Sequence, residues 1–199
     1  MPSQAPPPAA AAARSRERVT RILDDVCAKT GVARPAYTGT GESQQASYNA
    51  WTNHLAVSDT FAAKLSDRSL AAVIAHELGH ARRRRILLAK TSGFGLLAVV
   101  ILAAFASGPH SATTAVQLLF AFLTLSTLSS WAALREEFSA DEFAVRYTGD
   151  VAGYVRVFQQ TFALAGREPD DTYVKRIRRL RELEQEVIPR RPPQNPPAA

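Results

Sequence analysis

Residues 70–80 read LAAVIAHELGH, an apolar run followed by two histidines. His76 and His80 are four positions apart. Because positions i and i+4 lie on the same face of an α-helix, this spacing predicts two imidazole rings side by side on one helix. Ser66 or Asp67 is predicted to cap that helix at its N-terminus. The apolar run favours a buried helix over an exposed helix with two solvated histidines.

The glutamate that follows the first histidine, Glu77, indicates chemistry at a metal ion. Two imidazole nitrogens on one helix face suit a tetrahedral zinc ion, and a catalytic zinc keeps one position open for water. Zinc lowers the pKa of that water, and the glutamate takes its proton and later donates it to a leaving amine. The motif therefore predicts hydrolysis of peptide bonds, with His76 and His80 as zinc ligands and Glu77 as the general base.

Two segments that follow the motif, residues 91–108 and 113–134, contain no charged residue. A helix needs about 20 apolar residues to cross a bilayer, which the second segment provides. The first segment is long enough if residues 86–90 extend it and Lys90 reaches outward to the bilayer surface. We predict a two-helix transmembrane hairpin over about 88–134, and the alternative is a hairpin buried in a soluble core.

Basic residues determine the predicted orientation of this hairpin. Residues 82–85 are four arginines ahead of the first span, and Arg135 follows the second. Positively charged residues stay on the cytoplasmic side, so both termini and the histidine motif are expected there. The sequence thus predicts a multi-pass protein of a bacterial inner (cytoplasmic) membrane. The net charge of +6 is attributed to basic residues that contact anionic lipid head groups, so no nucleic acid is expected as a partner.

A catalytic zinc also needs a third protein ligand, which is expected after the second span. Glu137 and Asp141 are four positions apart and share a helix face. Glu137 is the candidate ligand, and Asp141 is expected to accept a hydrogen bond from a ligand histidine and fix its tautomer. His54, in a predicted strand, stays open as an alternative ligand. The neighbouring carboxylates of residues 136 and 142 are expected to form a solvated acidic surface.

Length and composition limit the class of protein. The chain has 199 residues, of which 46% are hydrophobic and 21% charged, so one domain with a real core is expected. The single cysteine, Cys27, excludes an internal disulfide and a thiolate-rich zinc site. Proline-rich residues at 1–13 and 189–199 are predicted to be disordered tails, which leaves one domain over 14–188.

The segments between these features predict an α+β domain that is mostly helical. Residues 15–29 place apolar side chains at helical spacing, and Gly31 then ends the helix. Short runs separated by glycine and polar residues over 34–58 predict two or three strands with turns. The transmembrane hairpin interrupts this domain between the histidine helix and the helix of the predicted third ligand.

The order of an HExxH helix, two apolar spans and an ExxxD helix resembles the membrane-embedded gluzincin metallopeptidases, the group of the HtpX heat-shock protease and the CAAX prenyl protease. The likeness covers about 47–146 and extends weakly to the C-terminal helix. It implies a zincin-like catalytic domain with a small β-sheet. It also implies one zinc ion per chain, held by His76, His80 and Glu137, with Glu77 as general base.

The same resemblance implies where a substrate binds. The strand at Asn49 and Ala50 would be a sheet edge that pairs with the substrate backbone as an added strand. This mode of binding needs little side-chain specificity. The alternative for Asn49 is an ordinary turn residue.

The chain departs from the family pattern in two places. Members of the HtpX type have two further spans before the motif, and this sequence shows none. Many members also carry a His-Pro pair whose histidine helps to stabilise the oxyanion, whereas Glu168 and Pro169 stand at the matching place here. Because an ionised glutamate cannot donate a hydrogen bond, Tyr173 or Arg176 is the alternative oxyanion stabiliser. Both residues also fit a solvated amphipathic helix.

The sequence leaves two functions open. The first is a zinc metalloendopeptidase that acts on membrane-associated or misfolded polypeptides. The second is a catalytically weak, zinc-containing membrane protein with a binding or scaffolding role. A polypeptide substrate and the lipid bilayer are the expected partners, and a homo-oligomer or a membrane partner is left open.

Overall fold

The computed structural model describes residues 8–40, 45–108 and 111–187. Within these residues the chain forms one small sheet surrounded by helices, so the predicted α+β, mostly helical architecture is confirmed. In chain order the elements are α1 (Pro8–Thr30), β1 (Ala36–Thr40), β2 (Ala46–Asn49), β3 (His54–Ser58), α2 (Asp59–Lys64), α3 (Asp67–Arg82), α4 (Arg84–Ala106), α5 (Ala112–Thr148), α6 (Val151–Leu164) and α7 (Asp171–Val187).

Helix α1 begins at Pro8, so residues 8–13 of the predicted N-terminal tail belong to this helix. Alanine is the best helix former, and proline is tolerated in the first turn of a helix, so this alanine-rich run extends the helix that follows it. The remaining parts of the predicted tails, residues 1–7 and 189–199, lie outside the described residues.

The core is built around α1, the sheet and α3. Val19, Leu23 and Val26 of α1 are fully buried, as their helical spacing predicts. The helix ends at Thr30, and the next residue, Gly31, has a φ of 69°, the left-handed conformation that glycine adopts at helix ends.

The sheet has the strand order β1-β3-β2, with β1 parallel and β2 antiparallel to the central strand β3. Leu55 and Val57 of β3 are fully buried, whereas β2 lies at the edge of the sheet. The turn between β2 and β3 is closed by the side-chain oxygen of Asn49. It accepts hydrogen bonds from the backbone nitrogens of Trp51 (2.9 Å) and Thr52 (3.2 Å).

The helix that carries the histidine motif is capped as predicted. The hydroxyl of Ser66 accepts a hydrogen bond of 3.1 Å from the backbone nitrogen of Ser69. Leu70, Ile74 and Leu78 are fully buried at helical spacing and anchor α3 in the core. These contacts fix the rotation of α3 about its axis, and the side of the helix opposite these buried side chains carries the two histidines.

A close crossing of α3 and α5 brings the two predicted parts of the site together. Gly79 lies inside α3 between the two histidines and faces Ala140 of α5. A β-carbon built on Gly79 would lie 2.8 Å from the Cα of Ala140, closer than real side-chain contacts. Only glycine therefore permits the two helix backbones to approach this closely.

Two helices among the described residues, α4 and α5, are long and apolar enough to cross a membrane. Their apolar segments pack on each other and expose most of their side chains, whereas Ile101 and Leu125 are buried. The structure does not show the alternative, a hairpin buried in a soluble core. Many large apolar side chains of the hairpin are exposed, among them Leu96, Leu97, Val99, Val100, Val116, Leu119, Phe120 and Leu123.

Candidate active site

The structure brings His76 and His80 of α3 together with Glu137 of α5. The Nε2 atom of His76 lies 3.5 Å from Oε2 of Glu137, and Nε2 of His80 lies 3.5 Å from Oε1 of the same carboxylate. The two imidazole centroids are 5.0 Å apart. One ligand atom from each of the three residues lies within 4.8 Å of the other two.

This donor set fits a zinc ion. Bonds of about 2.0–2.1 Å in a tetrahedron separate neighbouring ligand atoms by about 3.4 Å, which matches the two nitrogen–oxygen distances. Two imidazole nitrogens and one carboxylate oxygen are also a ligand set that catalytic zinc uses, with a fourth position left for water. The ring of His54 instead lies 3.2 Å from the hydroxyl of Thr38, outside this group.

Asp141 lies behind the histidine pair, on the same face of α5 as Glu137. Its Oδ1 atom is 3.0 Å from Nδ1 of His76, the position from which it accepts the ring proton. The hydroxyl of Tyr154 on α6 donates to the same oxygen at 2.8 Å and lies 3.1 Å from the ring nitrogen. Tyr154 was not found from the sequence, because nothing in the pattern of α6 distinguishes a site residue from a core residue.

Arg176 of α7 connects the two carboxylates of α5. Its Nε and Nη2 atoms donate to Asp141 at 2.8 and 2.6 Å, and Nη1 lies 2.7 Å from Oε2 of Glu137. The guanidinium also lies 4.4 Å from the ring centroid of Phe158. Tyr173, the other predicted oxyanion stabiliser, stacks on Phe158 at 5.3 Å and does not line the cavity at the site.

Burial and nearby charges shift the pKa values of the two histidines in opposite directions. Burial alone would lower the pKa of His76, but its bonds to Asp141 and Glu137 outweigh burial and raise the pKa to about 10. Burial and the charge on His76 lower the pKa of His80 to about 4. Burial would raise the pKa of Glu137, but His76 and Arg176 lower it to about 2. A metal ion at this site would therefore compete with a proton at His76.

Glu77 lies on the buried side of the same helix turn and lines the cavity. Burial raises the pKa of Glu77 above the usual glutamate value, and the charge on Glu137 adds to this effect. The positive charge on His76 and a hydrogen bond from the backbone of Tyr48 on β2 act in the opposite direction. The net result is a carboxyl group that holds a proton more readily than an exposed glutamate.

A cavity of about 450 Å³ opens beside these residues. Its lining includes residues 45–48, which are the first three residues of β2 and the residue before it, so the sheet edge faces the histidine helix. Of the predicted edge, Asn49 is the last residue of β2 and does not line this cavity. Ala50 is a buried turn residue after β2, and its carbonyl accepts a 2.6 Å hydrogen bond from Nε of Arg84.

Glu136 is not part of a solvated acidic surface, as was expected. It is only 5% exposed, and its carboxylate accepts a hydrogen bond from Nζ of Lys90 and lies 3.5 Å from Nε of Arg83. Because adjacent helix residues point about 100° apart, Glu136 faces α4 while Glu137 faces α3. Lys90 therefore points towards Glu136 and does not reach outward to the bilayer surface, as was predicted. Glu142 matches the expectation, with its side chain 37% exposed.

A helix with two histidines four positions apart, joined by a carboxylate from a later helix, defines the gluzincin class of metallopeptidases. The sequence profile of peptidase family M48 matches residues 13–186. The chain therefore belongs to peptidase family M48, which confirms the resemblance stated from the sequence. Members of this family are zinc metallopeptidases. Comparisons with curated proteins and with solved structures gave no significant match.

Proposed function

We propose that this protein is a zinc metalloendopeptidase of the bacterial cytoplasmic membrane that cleaves membrane-associated or misfolded polypeptides. The observation that carries the proposal is the meeting of His76, His80 and Glu137 beside Glu77 in one cavity. Membership of a metallopeptidase family supports the same reaction type.

His76, His80 and Glu137 would hold the metal. When bound, zinc supplies a Lewis acid that lowers the pKa of water and polarises a peptide carbonyl. Asp141 accepts the Nδ1 proton of His76, which leaves the Nε2 lone pair directed at the metal position. Arg176 holds both carboxylates of α5 in place through short, charge-assisted hydrogen bonds.

Glu77 would move the proton in this reaction. Its carboxylate accepts a proton from the attacking water as the new carbon–oxygen bond forms. The same proton passes to the leaving nitrogen as the carbon–nitrogen bond breaks. A general acid–base group works best when its pKa approaches the working pH, and burial shifts the pKa of Glu77 in that direction.

The edge strand β2 would bind the substrate backbone. Residues 45–48 line the cavity, and three of them belong to β2, which stands at the edge of the sheet order β1-β3-β2. A peptide that adds to such an edge is held by backbone hydrogen bonds, whatever its side chains are. The binding edge assigned here thus begins four residues before Asn49 and stops short of it.

The proposed membrane location is supported by the exposed apolar surface of α4 and the first part of α5. At the end of the second span, the guanidinium of Arg135 lies 4.7 Å from the ring centroid of Trp131. Aromatic and basic residues concentrate at membrane surfaces, and the four arginines at 82–85 would lie at the same surface. This orientation puts the cavity on the cytoplasmic side.

One observation favours the second candidate, a catalytically weak zinc protein with a binding or scaffolding role. Arg176 was an alternative to the family histidine as oxyanion stabiliser, but three of its nitrogens contact Asp141 and Glu137. The residue at the matching family position, Glu168, is exposed and does not line the cavity. A slow reaction would follow from a site without this donor.

The test is cleavage of casein by detergent-purified protein, with zinc content measured on the same samples. Wild type is expected to hold one zinc per chain and to cleave. The Glu77→Gln variant is expected to keep the zinc and to lose cleavage, because an amide cannot accept the proton. Stoichiometric zinc without cleavage by either protein would support the binding role instead. Folded protein without zinc would overturn both functions.

A further inference from the structure

The turn between β2 and β3 presents a tryptophan side chain on the surface of the protein. Trp51, the second residue after β2, is 62% exposed, although tryptophan is highly buried on average. The chain has one other tryptophan, Trp131, which is 56% exposed near the end of the second apolar segment. An isolated exposed apolar residue is common, whereas one that extends a larger apolar surface marks an interaction site. The neighbours of Trp51 decide between these two cases.

Hydrogen bonds hold the backbone around Trp51 in a fixed conformation. Its nitrogen donates to the side-chain oxygen of Asn49 at 2.9 Å, and its carbonyl accepts from Nη2 of Arg84 at 3.2 Å. The hydroxyl of Tyr48 donates to Oδ1 of Asn53 at 2.7 Å across the same turn. Asn53 has a φ of 53°, a left-handed conformation that asparagine tolerates in tight turns. The exposure of Trp51 is therefore a property of a well-defined turn.

The side chain of Trp51 lies beside the start of the proposed first span. A groove of about 390 Å³ is lined by Trp51 and by Leu87, Leu88 and Thr91 of α4. Leu87 and Leu88 are half-buried, and Ile86 is 47% exposed. From Thr91 onwards, α4 has no charged residue and exposes most of its large apolar side chains. Trp51 therefore extends the apolar surface of the hairpin onto the small sheet.

The two tryptophans lie at the same end of the hairpin. Glu136 of α5 contacts Lys90 and Arg83, so this part of α5 is level with the first turns of α4. Trp131 precedes Glu136 by five residues, which at 1.5 Å per residue is about 7 Å towards the apolar half of α5. Trp51 adjoins the same turns of α4. Exposed aromatic residues at one level of a pair of apolar helices are typical of a membrane–water interface.

We propose that Trp51 inserts into the head-group region of the bilayer and forms a lipid contact outside the hairpin. The indole ring combines an apolar body with one N–H donor, which suits the boundary between lipid and water. Arg85 and Ile86 are both exposed at the start of α4, so a cation for lipid phosphate stands next to an apolar side chain. An anionic bilayer is therefore the partner that fits this surface. The proposal rests on the proposed membrane location and adds a contact site on the sheet.

This lipid contact would determine where the active-site cavity opens. The groove at Trp51 and the cavity share three lining residues, Ser47, Tyr48 and Leu87. Strand β2 also ends only two residues before Trp51. Insertion of the indole into the head-group region would therefore hold β2, and with it one side of the cavity, next to the bilayer surface.

The test is tryptophan fluorescence of single-tryptophan variants in proteoliposomes of phosphatidylcholine and phosphatidylglycerol. Trp131→Phe keeps Trp51 as the only tryptophan, and Trp51→Phe keeps Trp131. Phosphatidylcholine brominated near the head-group end of its acyl chains is expected to lower the emission of either tryptophan at least twofold, because bromine quenches only on contact. Acrylamide in the aqueous phase is expected to quench both weakly.

The matched control is Arg146→Trp in a protein that carries both Trp51→Phe and Trp131→Phe. Arg146 is exposed on α5 and follows Arg135 by eleven residues, about 16 Å further from the apolar half. A tryptophan there is expected to be quenched by acrylamide and not by the brominated lipid. Circular dichroism of each variant verifies that its helices are intact.

The outcomes separate the lipid contact from the membrane location on which it rests. Quenching of Trp131 but not of Trp51 by brominated lipid would overturn the contact and retain the membrane location. Quenching of neither would overturn both. Protection of Trp51 from acrylamide without quenching by brominated lipid would show that a protein surface, such as a second copy of the chain, covers it, and would also overturn the contact.

A second readout applies if a phenylalanine variant fails to fold. A nitroxide attached to Trp51→Cys in a Cys27→Ala background is compared for its accessibility to oxygen and to a water-soluble nickel chelate. Greater accessibility to oxygen is expected for a label in the bilayer. Greater accessibility to the nickel chelate would overturn the contact.

Discussion

The two halves of α5 belong to one uninterrupted helix and have opposite surroundings. The first half, residues 113–134, contains no charge and exposes large apolar side chains such as Phe120. The second half, residues 135–148, buries carboxylates and connects them to arginine, histidine and tyrosine. The polar groups are thus buried and the apolar groups exposed, the reverse of the usual division in a water-soluble helix.

The difference is the one expected if the proposed membrane location gives a single helix two solvents. Apolar side chains on the first half contact few other described residues beyond α4, so the bilayer is the surrounding that would satisfy them. Glu136, Glu137 and Asp141 on the second half are stabilised because each finds donors on α3, α4 or α7. Helix α5 contains neither glycine nor proline. The exposed apolar half and the half that carries Glu137 are therefore rigidly connected.

The largest effect is expected from removal of a buried charge in the second half. Asp141→Ala leaves Arg176 buried without its main carboxylate, which costs about 3–5 kcal/mol of unfolding free energy. Glu142→Ala, one residue further along, removes an exposed pair with Arg146 and is expected to cost under about 0.5 kcal/mol. Urea unfolding of chelator-treated protein in detergent, followed by circular dichroism, measures both. Equal costs would mean that burial does not distinguish the two positions.

The next effect concerns the close contact between α3 and the second half of α5. Gly79→Ala is expected to cost about 1–3 kcal/mol, because the new methyl group forces the backbone at Ala140 away. The same shift separates the histidines from Glu137, so zinc affinity should fall in a chelator competition. Gly93→Ala in α4 is the matched control: beyond the neighbouring part of its own helix, no described residue has an atom within 4 Å of the new methyl. It should stabilise the helix by up to about 1 kcal/mol, and a loss there would contradict the account.

A smaller effect is expected at the boundary between the two halves, where Lys90 donates to Glu136. Glu136→Lys places two cations together, and Lys90→Glu places two carboxylates together, so either change alone should lower stability and zinc affinity. The double exchange should recover about 1 kcal/mol of the lost stability, a modest amount because Lys90 is partly exposed. A double variant no better than the two single variants added together would show that the pair does not couple α4 to α5.

The smallest effect on stability is expected for Ser126→Cys, made in a Cys27→Ala background. Position 126 is exposed on the apolar half, so its protection from a water-soluble maleimide would come from lipid. The natural Cys27 is protected by the protein core instead. In proteoliposomes with concentrated urea, Cys27 of the wild-type protein should become reactive, while the thiol at position 126 of the variant should stay at least tenfold slower. Rapid labelling of position 126 in intact proteoliposomes would exclude a lipid-buried first half.

The pH dependence of Cys27 provides an independent check on core burial. Burial raises the pKa of Cys27 above its ordinary value, and only the thiolate reacts with maleimide. A raised pKa lowers the thiolate fraction at neutral pH, so the labelling rate in native protein should keep increasing above pH 9. A rate that levels off near the ordinary thiol pKa would indicate that the thiol is exposed.

The local parts of the site were predictable from the sequence, because they depend on helical spacing. His76 and His80, and likewise Glu137 and Asp141, are pairs four positions apart within single helices. Helix geometry alone puts each pair on one face. The apolar pattern of α1 and the N-cap at Ser66 were accessible for the same reason.

The parts that depend on packing between distant helices were not predictable. Tyr154 reaches Asp141 only because α6 packs beside α5, and Arg176 arrives from a helix 35 residues further along the chain. Glu136 was misassigned because the sequence does not show that α4 covers its face. The end of the edge strand at Asn49 was not predictable, because turn residues such as Ala50 resemble strand residues in composition.

The most direct test of the central claim is the zinc K-edge X-ray absorption spectrum of the detergent-purified protein. We expect nitrogen and oxygen ligands at about 2.0–2.2 Å, with outer-shell scattering from two imidazole rings and no sulfur at about 2.3 Å. We also expect Glu137→Gln to weaken zinc binding. A spectrum with sulfur or with three or more imidazoles, or wild-type binding in the Glu137→Gln variant, would contradict the assignment of His76, His80 and Glu137 as the metal ligands.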